Sequence, residues 1–378
     1  MRILLVGDAS NYHAALAEAL RRLGEDVTVA SDGSRWMDTS RDIDISRHGS
    51  GPLSGLGLWL RMRYGLQRRL ADFDVVSIAT LGFVSLKPAR QAAIFDMLRR
   101  NNRSVFYTSL GTDTFYVDEC MRPDSLLPYN EWRIFGRPSP LALARPETAA
   151  AWQSEDLRRA CRHVYDRIDG ATSVLYEYDR VLGRYLTPDR HAYTGIPIDT
   201  DALRPVGLPD RPDKVRLFLG RHRHRMVEKG TDLLEAAARS VVESHPDKAE
   251  LVIVENRPYD EYLDLMKSAH VVLDQVYSYT PATNALLAMA YGLNTVSGGE
   301  EEFYEFIGEP ALRPVINVRP DYEQIRHTLL QTVLHPELLA PRGRESREFV
   351  VKHNSYDVVA GRYLDFWQRR LDHKDAQT

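Results

Sequence analysis

Cysteine is nearly absent from this sequence: Cys120 and Cys161 are the two in 378 residues, with no Cys-x-x-Cys spacing. A disulfide framework and a cysteine-rich zinc site are both disfavoured, and a reducing cytoplasm suits the count. No apolar run approaches the roughly 20 residues that span a bilayer. Met1–Val6 is too short for the apolar core of an export signal, and polar Asp8–His13 follows at once. The expectation is a cytoplasmic chain that does not cross a membrane. A basic excess is also lacking. Lys and Arg number 49 against 53 Asp and Glu, a formal net charge of −4, so nucleic acid is not an expected partner. Neither G-x-x-x-x-G-K-[ST] nor a G-x-G-x-x-G after the first strand occurs. A P-loop NTPase and a standard NAD enzyme are disfavoured accordingly.

What is present is an ordinary globular composition, 43% hydrophobic and 27% charged, in a chain longer than one core usually organises. Ile3–Val6 reads as a strand, and Tyr12, Leu16, Leu20 and Leu23 follow at helical spacing with Gly24 at the C-cap position. Val27–Ala30 then completes a βαβ unit, which implies a parallel sheet. Asp74–Thr80, Ser104–Thr108 and Ala171–Leu175 extend it, with helical stretches at Ala89–Arg100 and Glu147–Ile168. Pro197, Pro205, Pro209 and Pro212 then crowd into a short stretch that neither a helix interior nor a central strand accepts. The pattern restarts at Val215–Leu219 and runs through strands at Glu250–Val254, Val271–Asp274, Asn294–Val296 and Val315–Val318. Helices are expected at Thr231–Val242, Tyr259–Ser268 and Ala285–Tyr291. The alternation predicts an α/β fold of doubly wound halves in tandem. A last helix from Tyr356 shows apolar residues at Val359, Tyr363, Trp367 and Leu371, and its periodicity does not choose the half on which it packs.

The second half holds two features suited to an anion. Strand Val215–Leu219 runs into Gly220-Arg221, a basic loop to Arg225, and then Glu228-Lys229-Gly230-Thr231. Open α/β sheets bind ligands outside the carboxyl ends of their strands. Arginine offers a planar fork for phosphate oxygens and lysine a compact charge. The second feature, Ser278–Asn284, opens the helix Ala285–Tyr291, where free N–H groups and the helix dipole attract a phosphate. A solvated basic loop and an ordinary capped helix are the plainer alternatives for the two. His222 and His224 sit among arginines, a poor setting for a metal cation.

Together, Gly220-Arg221, Glu228–Asp232, Gly195–Asp199 and the helix Leu286–Gly292 resemble the retaining, nucleotide-sugar-dependent glycosyltransferases of the GT-B fold. The resemblance spans nearly the whole chain and is strongest from about residue 195 to 310. It implies two Rossmann-like domains facing a central cleft. Residues 1–197, with the helix 355–372 crossing back, would form the acceptor domain, and 198–354 the donor domain. It makes Arg221 and Lys229 the donor-diphosphate pair, with Arg225 competing for the role. Gly220, Thr280 and the backbone of Ala282, Thr283 and Asn284 would also meet the donor, and Glu255 would lie near its base, with Asn256 and Arg257 as equal alternatives for that contact. Gly7, Asp8, Asn11 and His13 would face the acceptor cleft, and Gly111-Thr112-Asp113 resembles a turn of related enzymes that makes Asp113 a catalytic candidate. The implied reaction moves a sugar from a nucleoside-diphosphate sugar to a carbohydrate or lipid-linked acceptor, as in polysaccharide biosynthesis, with retention and without a cofactor or metal. One departure stands out: Tyr279 and Leu287 occupy the two positions where the family commonly has glutamates that hold the donor.

Outside these motifs, Leu53–Leu70 interleaves Trp59, Leu60, Met62 and Tyr64 with Arg61, Arg63, Arg68 and Arg69. Two readings are open: a domain helix with a basic outer face, or peripheral contact through Trp59–Arg69 with the inner face of a membrane.

Overall fold

The computed structural model describes residues 1–34 and 38–377; the side chain of His224 lies outside the description. The chain forms two compact units. The first comprises Met1–Glu119, Glu147–Pro197 and Tyr356–Thr378, and the second Cys120–Pro146 and Ile198–Ser355.

In the first unit, short apolar runs become parallel strands: β1 (Arg2–Val6), β2 (Asp26–Ser31), β3 (Ile43–Asp44), β4 (Val75–Ala79) and β5 (Ser104–Ser109). The hairpin strands β6 (Arg133–Ile134) and β7 (Arg137–Pro138) belong to the second unit. Strands β8 (Gly170–Ser173) and β9 (His191–Tyr193) complete the first sheet. Its order is β3-β2-β1-β4-β5-β8-β9, parallel throughout. Every residue of β4, β5 and β8 is buried, as expected of a sheet covered by helices on both faces. The last helix, Tyr356–Asp375, belongs to this unit. Its Tyr363 and Trp367 are wholly buried, with Trp367 against Phe106 and the Tyr363 hydroxyl 2.9 Å from that of Tyr12.

The second sheet contains β10 (Val215–Gly220), β11 (Ala249–Val254), β12 (Val271–Leu273), β13 (Asn294–Ser297) and β14 (Ile316–Asn317), in the order β11-β10-β12-β13-β14. All pairs are parallel. Alternation along β10 divides the core: Val215, Leu217 and Leu219 enter the cluster beneath helices Thr231–Ser244 and Tyr322–Leu334, and Phe218 the cluster on the other face.

Two expectations change. The stretch Glu147–Ile168 is two helices, Pro146–Trp152 and Glu155–Tyr165, interrupted at Gln153-Ser154. Segment Cys120–Pro146 groups with the second unit instead of the first; its anchors are tyrosines that helical or strand periodicity does not register. Glu300 is buried and precedes the helix Glu301–Phe306.

Candidate functional site

In the second sheet the strand order reverses between β10 and β12, the position where open α/β sheets take ligands. Gly220 closes β10, and just beyond the ends of those strands lie Arg221 and Asp274. Gly220 is required by close packing, since a Cβ there would stand 2.4 Å from the Tyr262 hydroxyl. That hydroxyl donates to Asn284 Oδ1 at 2.7 Å, and Asn284 Nδ2 reaches Asp274 Oδ1 at 3.4 Å. Asp274 is buried and also accepts from Ser297 Oγ at 3.2 Å. Burial raises its carboxyl above the usual range, opposed chiefly by the charge of nearby Lys229.

The basic loop divides its cations unequally. The Arg221 guanidinium lies between Glu255, 2.9 Å away, and Glu235, 3.2 Å away. Glu255 also accepts from Arg223 Nε at 2.8 Å, and Arg223 followed by Arg221 hold its carboxyl down to about 2. Arg225 pairs with Glu228 on the surface. Among the described residues, Lys229 alone of Arg221, Arg225 and Lys229 has no ion pair. It closes the short helix Met226–Lys229, and Gly230 then turns the chain at φ +69°. A Cβ at Gly230 would lie 2.8 Å from that of Val276, so glycine is needed on both counts.

Helix Thr283–Ala290 begins at Ala282, which offers no side-chain acceptor to its first N–H groups. Thr280, just before it, is buried. The helix start thus presents a positive dipole end without a side-chain cap from Ala282, in the same unit as a lysine that has no ion pair among the described residues. The side chains of Arg221, Glu255 and Asn284 are engaged in contacts within the unit, while the backbone of Asn284 stays at the helix start.

Tyr279, where the resemblance implied a glutamate, has another use. The Tyr279 hydroxyl exchanges hydrogen bonds with the Tyr129 backbone, donating to its carbonyl and accepting from its N–H, each at 3.0 Å. The two rings stack at 4.5 Å. Tyr129 in turn donates to Glu300 Oε1 at 2.9 Å. Glu300 receives Asn317 Nδ2 and Arg319 Nε, each at 2.9 Å. Burial alone would raise the Glu300 carboxyl, but Arg319, Asn317 and Tyr129 bring it below its ordinary value. Leu287 is half-buried on the helix. Sequence reasoning passed over Tyr129, Asp274 and Arg319; of these, only Asp274 carried a signal, as an aspartate just after a buried strand.

The expected acceptor residues of the first unit are placed differently. Gly7 adopts φ +78° beneath Phe83, whose Cα is 2.6 Å from where a Cβ would be. Asp8 accepts from the His13 N–H and the Thr39 hydroxyl, each at 2.9 Å, and so caps the helix Tyr12–Arg22. Asn11 precedes that helix at φ 63°. His13 is wholly buried, with Nδ1 2.7 Å from the Gly7 carbonyl and Nε2 unpartnered; burial lowers its pKa. Asp113 is buried beneath the hydroxyls of Tyr107 and Tyr165, at 2.7 and 2.9 Å, and also accepts from the Tyr116 N–H. Burial raises its carboxyl pKa despite these donors. His13 and Asp113 are interior residues of this unit.

Solved structures share this architecture end to end. Sucrose-phosphate synthase from Thermosynechococcus elongatus matches 99% of this chain over 100% of its own, at TM-score 0.63 and 12% identity. The fold is GT-B. The catalytic domain of starch synthase IV from Arabidopsis thaliana, bound to ADP and acarbose, matches 98% of this chain over 99% of its own (TM-score 0.61, 12% identity). Anabaena HepE in complex with UDP and glucose matches 97% over 99% (TM-score 0.60, 10% identity). No family model and no curated protein matches the sequence. At such identities the likeness establishes the GT-B fold and leaves the chemistry to the residues of this chain.

Proposed function

We propose that this GT-B protein transfers a sugar from a nucleoside-diphosphate sugar to a carbohydrate or lipid-linked acceptor, with retention. The observation that carries the reading is the unpaired Lys229 in the unit whose helix start at Ala282–Asn284 lacks a side-chain cap. In the transfer, the bond from the anomeric carbon to the diphosphate oxygen breaks and the diphosphate leaves with the electron pair. The acceptor oxygen bonds the anomeric carbon, and its proton passes to the departing diphosphate. Negative charge therefore grows on the phosphate oxygens, where Lys229 and the helix N–H groups stabilise it. Arg221, clasped by Glu235 and Glu255, acts on the position of the loop instead.

Titration with UDP-, ADP- and GDP-sugars, followed by assays of donor hydrolysis and transfer, tests the reading. Binding together with turnover supports it. A second reading, a non-catalytic protein that binds a nucleotide or sugar, draws on Tyr279, whose hydroxyl is committed to Tyr129 where the family has a carboxylate. Tight binding without turnover on any acceptor favours that second reading.

A further inference from the structure

The helix Pro52–Leu60 is apolar on both sides, and the π-helical turn Arg61–Gly65 continues it. Gly55, Leu58 and Met62, at steps of three and four, are buried in the first unit. Leu53, Leu56, Leu60 and Tyr64 follow the same steps on the other side and are 82%, 37%, 42% and 68% exposed. The step of four from Leu60 to Tyr64 keeps the stripe aligned through the wider turn, which closes with Leu66 N–H donating to the Arg61 carbonyl. A helix that is hydrophobic all round is normally buried all round; this one has an open side.

Charge indicates what covers it. From Ile45 to Ala71 the chain has five arginines and no aspartate or glutamate. Arg63 lies over the Tyr64 ring at 5.8 Å, and neither Arg63 nor Arg68 has an ion pair among the described residues. Arg61 turns inward to the Ser46 carbonyl, so the outer side is leucine and tyrosine bordered by arginine. No described helix is long and apolar enough to cross a membrane.

We infer that this face docks on a lipid bilayer carrying anionic headgroups: Leu53, Leu56, Leu60 and Tyr64 enter the headgroup–acyl boundary, and Arg63, Arg68 and Arg69 meet phosphates. The inference is independent of the proposed reaction, and its test needs no turnover. The full chain is sedimented with vesicles of phosphatidylglycerol and phosphatidylcholine, and with phosphatidylcholine alone. Partition is expected on the anionic vesicles, falling about fivefold for each of Arg63→Gln and Arg68→Gln and about tenfold or more for Leu56→Glu with Leu60→Glu. Leu53→Trp, at the most exposed position, provides a readout independent of charge removal: its fluorescence should shift to the blue on anionic vesicles only. Equal sedimentation of parent and variants, or an unshifted spectrum, overturns the inference. Concentration-dependent self-association abolished by the leucine substitutions, without vesicle binding, overturns it in favour of a contact between copies of this chain.

Discussion

Both units place a parallel sheet around a reversal of strand order, between β1 and β4 in the first and between β10 and β12 in the second. The loops beyond those reversals are built in opposite ways. In the first unit Phe83 presses on Gly7, His13 is buried, and Asp8 is used up as a helix cap. In the second, Lys229 is unpaired and the helix at Thr283 starts without a side-chain cap. Two buried carboxylates of the second unit differ from Asp113 in the same sense, while Asp274 of the second unit is raised by burial as Asp113 is. Asp113 of the first unit is held by tyrosine hydroxyls and a backbone N–H, and its pKa rises. Glu300 and Glu309 of the second lie against cationic or ionisable partners, Arg319 and the Lys352–His353 pair, and their pKa values fall. One layout of strands thus supports a self-filled loop region and a cation-rich one, so topology marks where a ligand can bind without making both places binding sites.

The largest test of this contrast is Gly7→Ala. Left-handed φ and the contact with Phe83 should together cost about 2–4 kcal/mol by chemical denaturation, with donor-nucleotide affinity per folded molecule unchanged. Lys229→Ala should do the reverse: affinity for UDP or ADP by calorimetry should fall about 10- to 100-fold, while the melting temperature holds. Arg221→Ala should lower the melting temperature, because Glu235 and Glu255 lose their shared partner; an effect confined to affinity would mean that Arg221 touches the ligand directly.

Smaller effects come from the buried acids. Glu309→Gln should cost about 1–3 kcal/mol near neutral pH. Because the folded pKa of Glu309 is depressed, its contribution is present above the unfolded carboxylate value of about 4.3 and is lost as pH falls below it. The gap between parent and variant melting temperatures should therefore close on acidification from pH 7 toward 3. Asp113 has the opposite sign. Its folded pKa is raised, so its contribution is fully present below the unfolded value of about 3.9 and is lost as pH rises through the folded one. Asp113→Asn should change stability by about 1 kcal/mol and leave donor binding untouched; a loss of turnover at intact stability would restore Asp113 to the catalytic machinery.

Much of the fold could be read from pattern. Ile3–Val6, Ser104–Thr108 and Val215–Leu219 are apolar runs flanked by turn residues, and each is a buried parallel strand. The edge strands Ile43–Asp44 and His191–Tyr193 were not legible, since two or three residues are too few to show a period. In the candidate site, strand-end glycine, basic loop and helix start could be located because their chemistry is local. The partners of the arginines could not: Glu235 and Glu255 are 14 and 34 positions from Arg221.

The sequence by itself determined that two α/β halves follow one another, that no cysteine framework holds them, and where cations and a helix start gather after β10 and β12. These follow from residue type and spacing, which act over a few positions of chain. Tertiary structure decided which charges are offset and which are left over. It turned Tyr279 toward Tyr129, clasped Arg221 between two glutamates, left Lys229 without one, buried Asp113, and opened one side of the helix at Leu53. Charge pairing and burial depend on atoms a few ångströms apart in space and tens of residues apart in the chain, and that separation is what packing alone can close.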